Sequence, residues 1–345
     1  MLRSAYLNAG INFFFTTLPF LVAMSCFYTY TLGFGEILTA DKAFVSLAYL
    51  NTIRMPMGFL PIVIVYLVQC KVSLDRLNKY LNNEDVAPDA VKHDSSEKDP
   101  MVIENGSFSW GKDEPAVLQN LNIRVKKGSL TAVVGNVGSG KSSLVSAFLG
   151  ELERLEGRVN TVGSIAYVPQ QAWMQNCTLR DNVLFGEEYD ERKYDAIINA
   201  CALRSDIDIL PGGDQTEIGE KGINVSGGQK QRVSLARACY SDADIFILDD
   251  PLSAVDSHVG KHIFEEVIGP TGTLGGKTRV LVTHGITYLP KVDHIVVLKD
   301  GRVSEQGGAA GPMHFGCISS TVLLGYYDKF GESHRWHKNR LLKIM

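Results

Sequence analysis

The chain has 345 residues, material for about two domains at roughly 150 residues each. Apolar residues make up 45% and charged residues 21%, with a formal net charge of −4, which excludes an intrinsically disordered chain and a polybasic nucleic-acid binder. The six cysteines (Cys26, Cys70, Cys177, Cys201, Cys239, Cys317) stand far apart, with no C-x-x-C pair and no histidine at metal-ligand spacing, so reduced thiols are expected rather than a zinc site or a disulfide framework.

Apolar content is concentrated at the start of the chain. Ile11–Leu32 offers about 22 residues without a charge, which as a helix extends about 33 Å and matches a bilayer core, so it is expected to span. A signal peptide is the competing reading; the length of the run, the lack of a small-residue cleavage motif and a second apolar stretch argue against it. That second stretch, residues 43–68, is interrupted by Arg54, Pro56 and Pro61 and is long enough to span only with Arg54 included. An arginine inside a membrane helix is costly, so Arg54 either faces a wet cavity, as a candidate on a substrate pathway, or snorkels or pairs with a neighbouring helix. Lys71, Arg76 and Lys79 follow directly, and the positive-inside bias then places residues after 70 in the cytoplasm. Leu74, Leu77 and Leu81 recur at helical spacing and extend the second span into an amphipathic cytosolic stem over 69–81, whereas the polar stretch 82–100 reads as a linker.

From Met101 the pattern changes. Val102–Trp110 and Leu118–Val125 alternate as short strands, and the apolar run Leu130–Val134 ends in a glycine-rich loop. Gly135, Asn136, Val137, Gly138, Ser139, Gly140, Lys141 and Ser142 fit G-x-x-x-x-G-K-[ST] between a buried-strand pattern and a helix pattern that begins at Ser142 and Ser143. The glycines let backbone N–H groups turn around phosphate oxygens and the helix start adds its positive dipole end. Lys141 neutralises the β- and γ-phosphates, and Ser142 reaches Mg²⁺. Ile245–Asp250 is a buried strand run that delivers two carboxylates at its end: Asp249 as the Mg²⁺ partner, Asp250 either as the group that orients or deprotonates water or as a binding residue alone. Ser226, Gly227, Gly228 and Gln229 form a small-residue loop at a helix start, a further anion site.

In this order G-N-V-G-S-G-K-S, V-S-G-G-Q and I-F-I-L-D-D resemble an ABC transporter nucleotide-binding domain, and the resemblance covers about residues 1–307. More narrowly, SFSW, YVPQQAW, GEKGINVSGGQKQRVSLARA, DDPLSAVDSHVGKHIF and VLVTHGITYLP are similar to the first nucleotide-binding domain of the C subfamily, the multidrug-resistance-associated proteins. The resemblance implies an α/β P-loop NTPase fold with a helical subdomain over 101–307, preceded over 1–81 by the last two helices of a transmembrane domain. It implies ATP and Mg²⁺ as cofactors, and two such domains facing head to tail, each ATP lying between the phosphate loop of one and the Ser226–Gln229 signature of the other. By the same resemblance Trp110 stacks on adenine, with a core tryptophan as the rival reading, and Gln170 senses Mg²⁺ and couples to the membrane domain. Ser253, Ala254, Val255 and Asp256 then cross the dimer interface, and His284 contacts the γ-phosphate.

The implied function is ATP-driven export of organic anions, including glutathione, glucuronide and sulfate conjugates, from a multi-pass protein of the plasma membrane. Its partners would be a second nucleotide-binding domain, the remaining membrane helices and the bilayer, with no nucleic acid. A regulatory or channel-type member of the same subfamily, or a short isoform without transport, is the alternative; a soluble ABC ATPase would need no apolar span. Two positions depart from the pattern. Asp250 stands where most hydrolytically active sites carry Glu, which withdraws the carboxylate by about 1.5 Å and implies an ATP site that turns over slowly. After Gly307 the family pattern stops, and residues 308–345 read as an unrelated tail such as alternative splicing or intron read-through would produce. With two spans and one nucleotide domain the chain is expected to be a piece, or a short form, of a larger exporter.

Overall fold

A computed structural model describes residues 2–82, 89–218 and 225–308. The chain divides into two compact units that meet at Asp85 and Val86.

In the first unit α1 (Leu2–Tyr28) passes into a π-helical turn at Thr29–Gly33, and α2 runs unbroken from Ala40 to Leu81. Gly35, at φ +67°, supplies the left-handed residue that the connection between the helices needs. The Lys42 ammonium donates to the Tyr30 hydroxyl at 2.7 Å, tying the start of α2 back to the π-helical turn. At 42 residues α2 is about 63 Å long, more than a bilayer core requires. Among the described residues it is the one helix long and apolar enough to cross a membrane, with a mean hydropathy of 1.8 in its most apolar window. The expected second span and stem are thus one continuous helix, and Pro56 and Pro61 lie inside it without ending it. The first expected span falls within α1 and the turn that follows. Arg54 lies within α2, but the readings of its side chain fall outside the described residues.

The second unit has two sheets. β1 (Met101–Ser109), β2 (Leu118–Val125) and β4 (Glu153–Thr161) pair antiparallel in the order β2-β1-β4. The six-stranded sheet has the order β5-β6-β7-β3-β8-β9, with β3 (Leu130–Gly135), β5 (Ile165–Val168), β6 (Ile245–Asp249), β7 (Thr278–Val282) and β8 (His294–Lys299) parallel and β9 (Arg302–Gly308) antiparallel at the edge. All five residues of β6 and of β7 are buried, as expected of parallel strands covered on both faces. Their side chains alternate between two cores. Phe246 and Leu248 face the core shared with α4 (Leu179–Leu184), α5 (Glu191–Ala200), α6 (Arg204–Ile209) and α7 (Gly227–Tyr240). Ile245 and Ile247 face the core shared with α3 (Lys141–Leu149) and the three-stranded sheet.

Part of the polar stretch read as a linker is built into the second unit. From Ala90 it forms a strap along the outer edge of β4, where the Lys92 amide donates to Val159 and the Thr161 amide to Lys92, both at 2.9 Å. The Asp94 amide donates to the Asn160 side chain at 2.8 Å, and Val91 packs against the core under α3. Glu97 then bridges Arg124 and Arg158, each at 2.8 Å. The strap was not legible as structure because its partners lie some 65 residues away and it has no apolar period. The tail reading over 308–345 falls, apart from Gly308, outside the described residues, as does Cys317; the other five cysteines are unpaired thiols.

Candidate nucleotide site

Four neighbouring strands, β5, β6, β7 and β3, run parallel and release their chains at the same edge of the sheet, with Val168 beside Leu248, Asp249 beside Val282 and Val282 beside Val133. The segments that leave there carry Gln170, Asp249 and Asp250, His284, and the glycine-rich loop. Carboxyl ends of parallel strands are where an open α/β sheet binds its ligand.

The loop Gly135–Gly140 is built so that only glycine fits at its ends. A Cβ on Gly135 would lie 2.3 Å from the Leu298 carbonyl oxygen and 2.6 Å from the Ser139 hydroxyl. Gly138 and Gly140 have φ of +81° and +96°, and a Cβ on Gly140 would meet Leu118 at 2.8 Å. Gly140 precedes α3, whose first residue is Lys141. The Lys141 ammonium, on a residue only 7% exposed, donates to the carbonyls of Gly135 at 3.0 Å and Asn136 at 2.8 Å. A cation is thus held at the centre of a loop at the positive end of a helix, where phosphate binds. The Ser139 hydroxyl is buried with no hydrogen-bond partner, while Asn136 and Val137 are exposed at the loop rim and Ser143 is buried in the first turn of α3.

Asp249 ends β6 with its carboxylate beside the Ser142 hydroxyl. Burial raises its carboxyl above the ordinary carboxylate value, against the pull of Ser142, with Asp250 adding to the rise and Lys141 and His284 opposing it. One carboxylate and one hydroxyl side by side, next to a phosphate cradle, suit Mg²⁺, which takes few protein ligands and completes its shell with water and phosphate. Asp250 is 7% exposed and left-handed at φ +50°, a conformation that Asp tolerates better than most residues; its amide donates to Val282 at 3.0 Å. Gln170 and His284 are exposed. His284 follows Thr283, whose amide donates to Val133 at 3.2 Å and whose hydroxyl accepts from Gly285 at 2.9 Å, fixing the turn. Trp110 follows β1 and is 56% exposed, packed in neither core.

The Ser226–Gln229 segment opens α7 with a capping box: the Ser226 side chain accepts from the Gln229 amide, and the Gln229 side chain accepts from the Ser226 amide at 2.7 Å. A Cβ on Gly228 would lie 2.7 Å from the Ala254 carbonyl oxygen, so the signature and the Ser253–Asp256 loop touch. In that loop the Ser253 hydroxyl donates to the Asp250 carbonyl at 2.8 Å, Ala254 is exposed, Val255 is half-buried, and Asp256 caps α8 (Ser257–Ile263) through the His258 and Val259 amides. Asp206, Gln231 and Arg232, which the motifs did not single out, also hold this region. Gln229 and Arg232 both bind the Asp206 carboxylate, at 2.8 and 2.5 Å, and Gln231 donates to the Pro169 carbonyl at 3.0 Å. Gln231 is buried in a helix whose first turns are polar throughout, so nothing in the sequence pattern sets it apart.

Residues 118–253 match the family described as ABC transporter. The chain is 56% identical over 307 residues to rat ATP-binding cassette sub-family C member 3, covering 88% of this chain and 20% of that protein. It is also 56% identical over 306 residues to the human member 3 (88% and 20%), and 54% identical over 308 residues to mouse ATP-binding cassette sub-family C member 2 (89% and 20%). The chain therefore spans about a fifth of the length of the curated relatives it matches. A phosphate loop, a capped signature helix and a buried Asp249 at one sheet edge, together with these identities, place the chain among the ABC transporters of the C subfamily, of which it carries one nucleotide-binding domain.

Proposed function

We propose that this chain binds Mg²⁺–ATP as the first nucleotide domain of an ATP-driven exporter of organic anions and their glutathione, glucuronide or sulfate conjugates. The observation that carries the reading is the convergence of the glycine loop, Asp249, Asp250, Gln170 and His284 at the ends of four adjacent strands. With ATP as substrate, Lys141 exchanges the loop carbonyls it now holds for β- and γ-phosphate oxygens, at little reorganisation because its ammonium already sits inside the loop. Ser142, Asp249 and Gln170 would hold Mg²⁺, which would supply charge neutralisation for the phosphates. Trp110 offers an open ring face for adenine, and His284 meets the γ-phosphate.

Asp250 takes the proton of the attacking water. Its side chain is one methylene shorter than Glu, and a misplacement of that order lowers the rate by about 10²-fold, so the site holds ATP longer than it cleaves it. Ser226–Gln229 and Ser253–Asp256 form the face presented to a second nucleotide domain. ATP-driven closure of the pair moves the membrane helices through the stem in α2, with α1 and α2 as two spans, the nucleotide unit cytoplasmic and the plasma membrane the site of action. Uptake of a labelled glutathione conjugate into inside-out vesicles carrying the full-length exporter tests the reading. ATP-dependent uptake that Lys141→Ala abolishes supports it, whereas ATP-stimulated ion conductance without uptake favours a channel.

A further inference from the structure

The strap along β4 carries two serines at its outermost turn. Ser95 and Ser96 are both exposed, and the Glu97 amide closes the turn by donating to the Asp94 carbonyl at 3.3 Å. The Ser96 amide and hydroxyl both donate to one oxygen of the Asp94 carboxylate, at 3.0 and 2.7 Å. These bonds hold the Asp94 carboxyl below its ordinary value, with Arg158 and Lys92 adding to the pull. After Ser96, Glu97 stands at the next position and Asp99 at the third, and both carboxylates reach Arg124, at 2.8 and 3.5 Å. Ser95 has Lys98 at its own third position. Among the described residues the strap bonds backbone to backbone with β4 through Lys92 alone, so the turn can open without undoing a ladder.

We propose that Ser96 is a phosphoryl-acceptor site for an acidophilic serine/threonine protein kinase, and that its phosphorylation releases the strap from β4. The Ser96 oxygen attacks the γ-phosphorus of the kinase's ATP, the bond from that phosphorus to the β–γ bridging oxygen breaks, ADP leaves, and a carboxylate of the kinase takes the hydroxyl proton. The exposed turn offers the hydroxyl, and Glu97 and Asp99 offer a basic kinase surface the carboxylates it pairs with. Arg124, their present partner, is 47% exposed, and ion pairs of that kind are weak enough to exchange. The product replaces a hydroxyl donor by an acceptor-only group of about −1.5 to −2 charge beside Asp94. Arg124 and Arg158 are already shared among Glu97, Asp99 and Glu104, so the phosphate meets Asp94, Glu97 and Asp99 as repulsion and finds both guanidiniums engaged. The Asp94 turn then opens, Lys92 leaves Val159, and the free chain between the two units lengthens.

The test is treatment of the purified full chain with an acidophilic serine/threonine kinase and ATP, against a control given ATP alone, followed by peptide mass spectrometry and amide hydrogen exchange. Phosphate is expected at Ser96 and absent from Ser96→Ala. Asp99→Asn, which withdraws the acid three residues on, is expected to slow incorporation at least about tenfold. In the phosphorylated chain the Lys92 and Thr161 amides are expected to exchange at least about fivefold faster than in the control, while those of β6 stay within about twofold. Phosphate found only at Ser95 or elsewhere, or none at all, would overturn the proposal. So would incorporation indifferent to Asp99→Asn, or a phosphorylated Ser96 that leaves exchange at Lys92 and Thr161 unchanged.

Discussion

Lys141 concentrates the chemistry of the site at one residue, because its buried ammonium already donates to the Gly135 and Asn136 carbonyls, inside the loop that phosphate would enter. Lys141→Ala is expected to weaken ATP binding at least tenfold, about 1.4 kcal/mol, in a calorimetric titration. Gly140→Ala adds a Cβ at φ +96° and 2.8 Å from Leu118, so a stability loss of about 1–2 kcal/mol, read by denaturant unfolding of the second unit, should accompany weakened binding. For Asp250 the direction reverses. Asp250→Glu restores the longer reach and is expected to raise turnover by about 10²-fold in the assembled transporter, whereas Asp250→Asn should change the slow basal rate only a few-fold. The glycine loop, Lys141, Ser142 and the two carboxylates were legible in the sequence because each motif is local and flanked by the strand and helix it requires. Gln231 and Arg237 were not, since their partners Pro169 and Trp173 lie 62 and 64 residues away and a polar side chain on a helix does not announce which carbonyl it will meet.

Among the elements, the strap over residues 90–100 shows the same limit on a larger scale. Its backbone bonds to β4 and its ion pairs to Arg124 and Arg158 come from a segment whose composition reads as solvated. Arg124 and then Arg158 hold the Glu97 carboxyl below its ordinary value, and Arg158 and then Arg124 do the same for Glu104. A depressed carboxylate contributes stability that is fully present above the unfolded value near 4.5 and is lost as pH falls through the lower folded value. Protection of the Lys92 and Thr161 amides, corrected for intrinsic exchange, is therefore expected to hold from neutral pH down to about 5 and to fall in more acid solution. Glu97→Gln should flatten that acid limb, and an unchanged profile would mean that the ion pairs do not hold the strap. In the buried strands sequence and structure coincide closely: the expected Ile245–Asp250 run is a strand over Ile245–Asp249, and the Leu130–Val134 run is a strand over Leu130–Gly135. Continuous apolar runs between turn signals leave few alternatives. At α2 the helix continues through Pro56 and Pro61, which sequence rules tend to treat as stops.

For the molecule as a whole, a helical unit and a unit carrying the nucleotide-binding domain divide at Asp85 and Val86, and the chain corresponds to about a fifth of the relatives it matches. The exposed apolar face of α2 is expected to keep the chain in the membrane pellet after carbonate extraction, and release into the supernatant would argue against a span. The central claim is that the nucleotide unit retains ATP rather than consuming it, and the most direct measurement is to load the purified full chain with Mg²⁺–ATP, remove free nucleotide, and determine how much is bound and in what form. About one nucleotide per chain, recovered mostly as ATP after many minutes and absent from Lys141→Ala, is the expected result. Empty protein, or nucleotide recovered promptly as ADP, would contradict it.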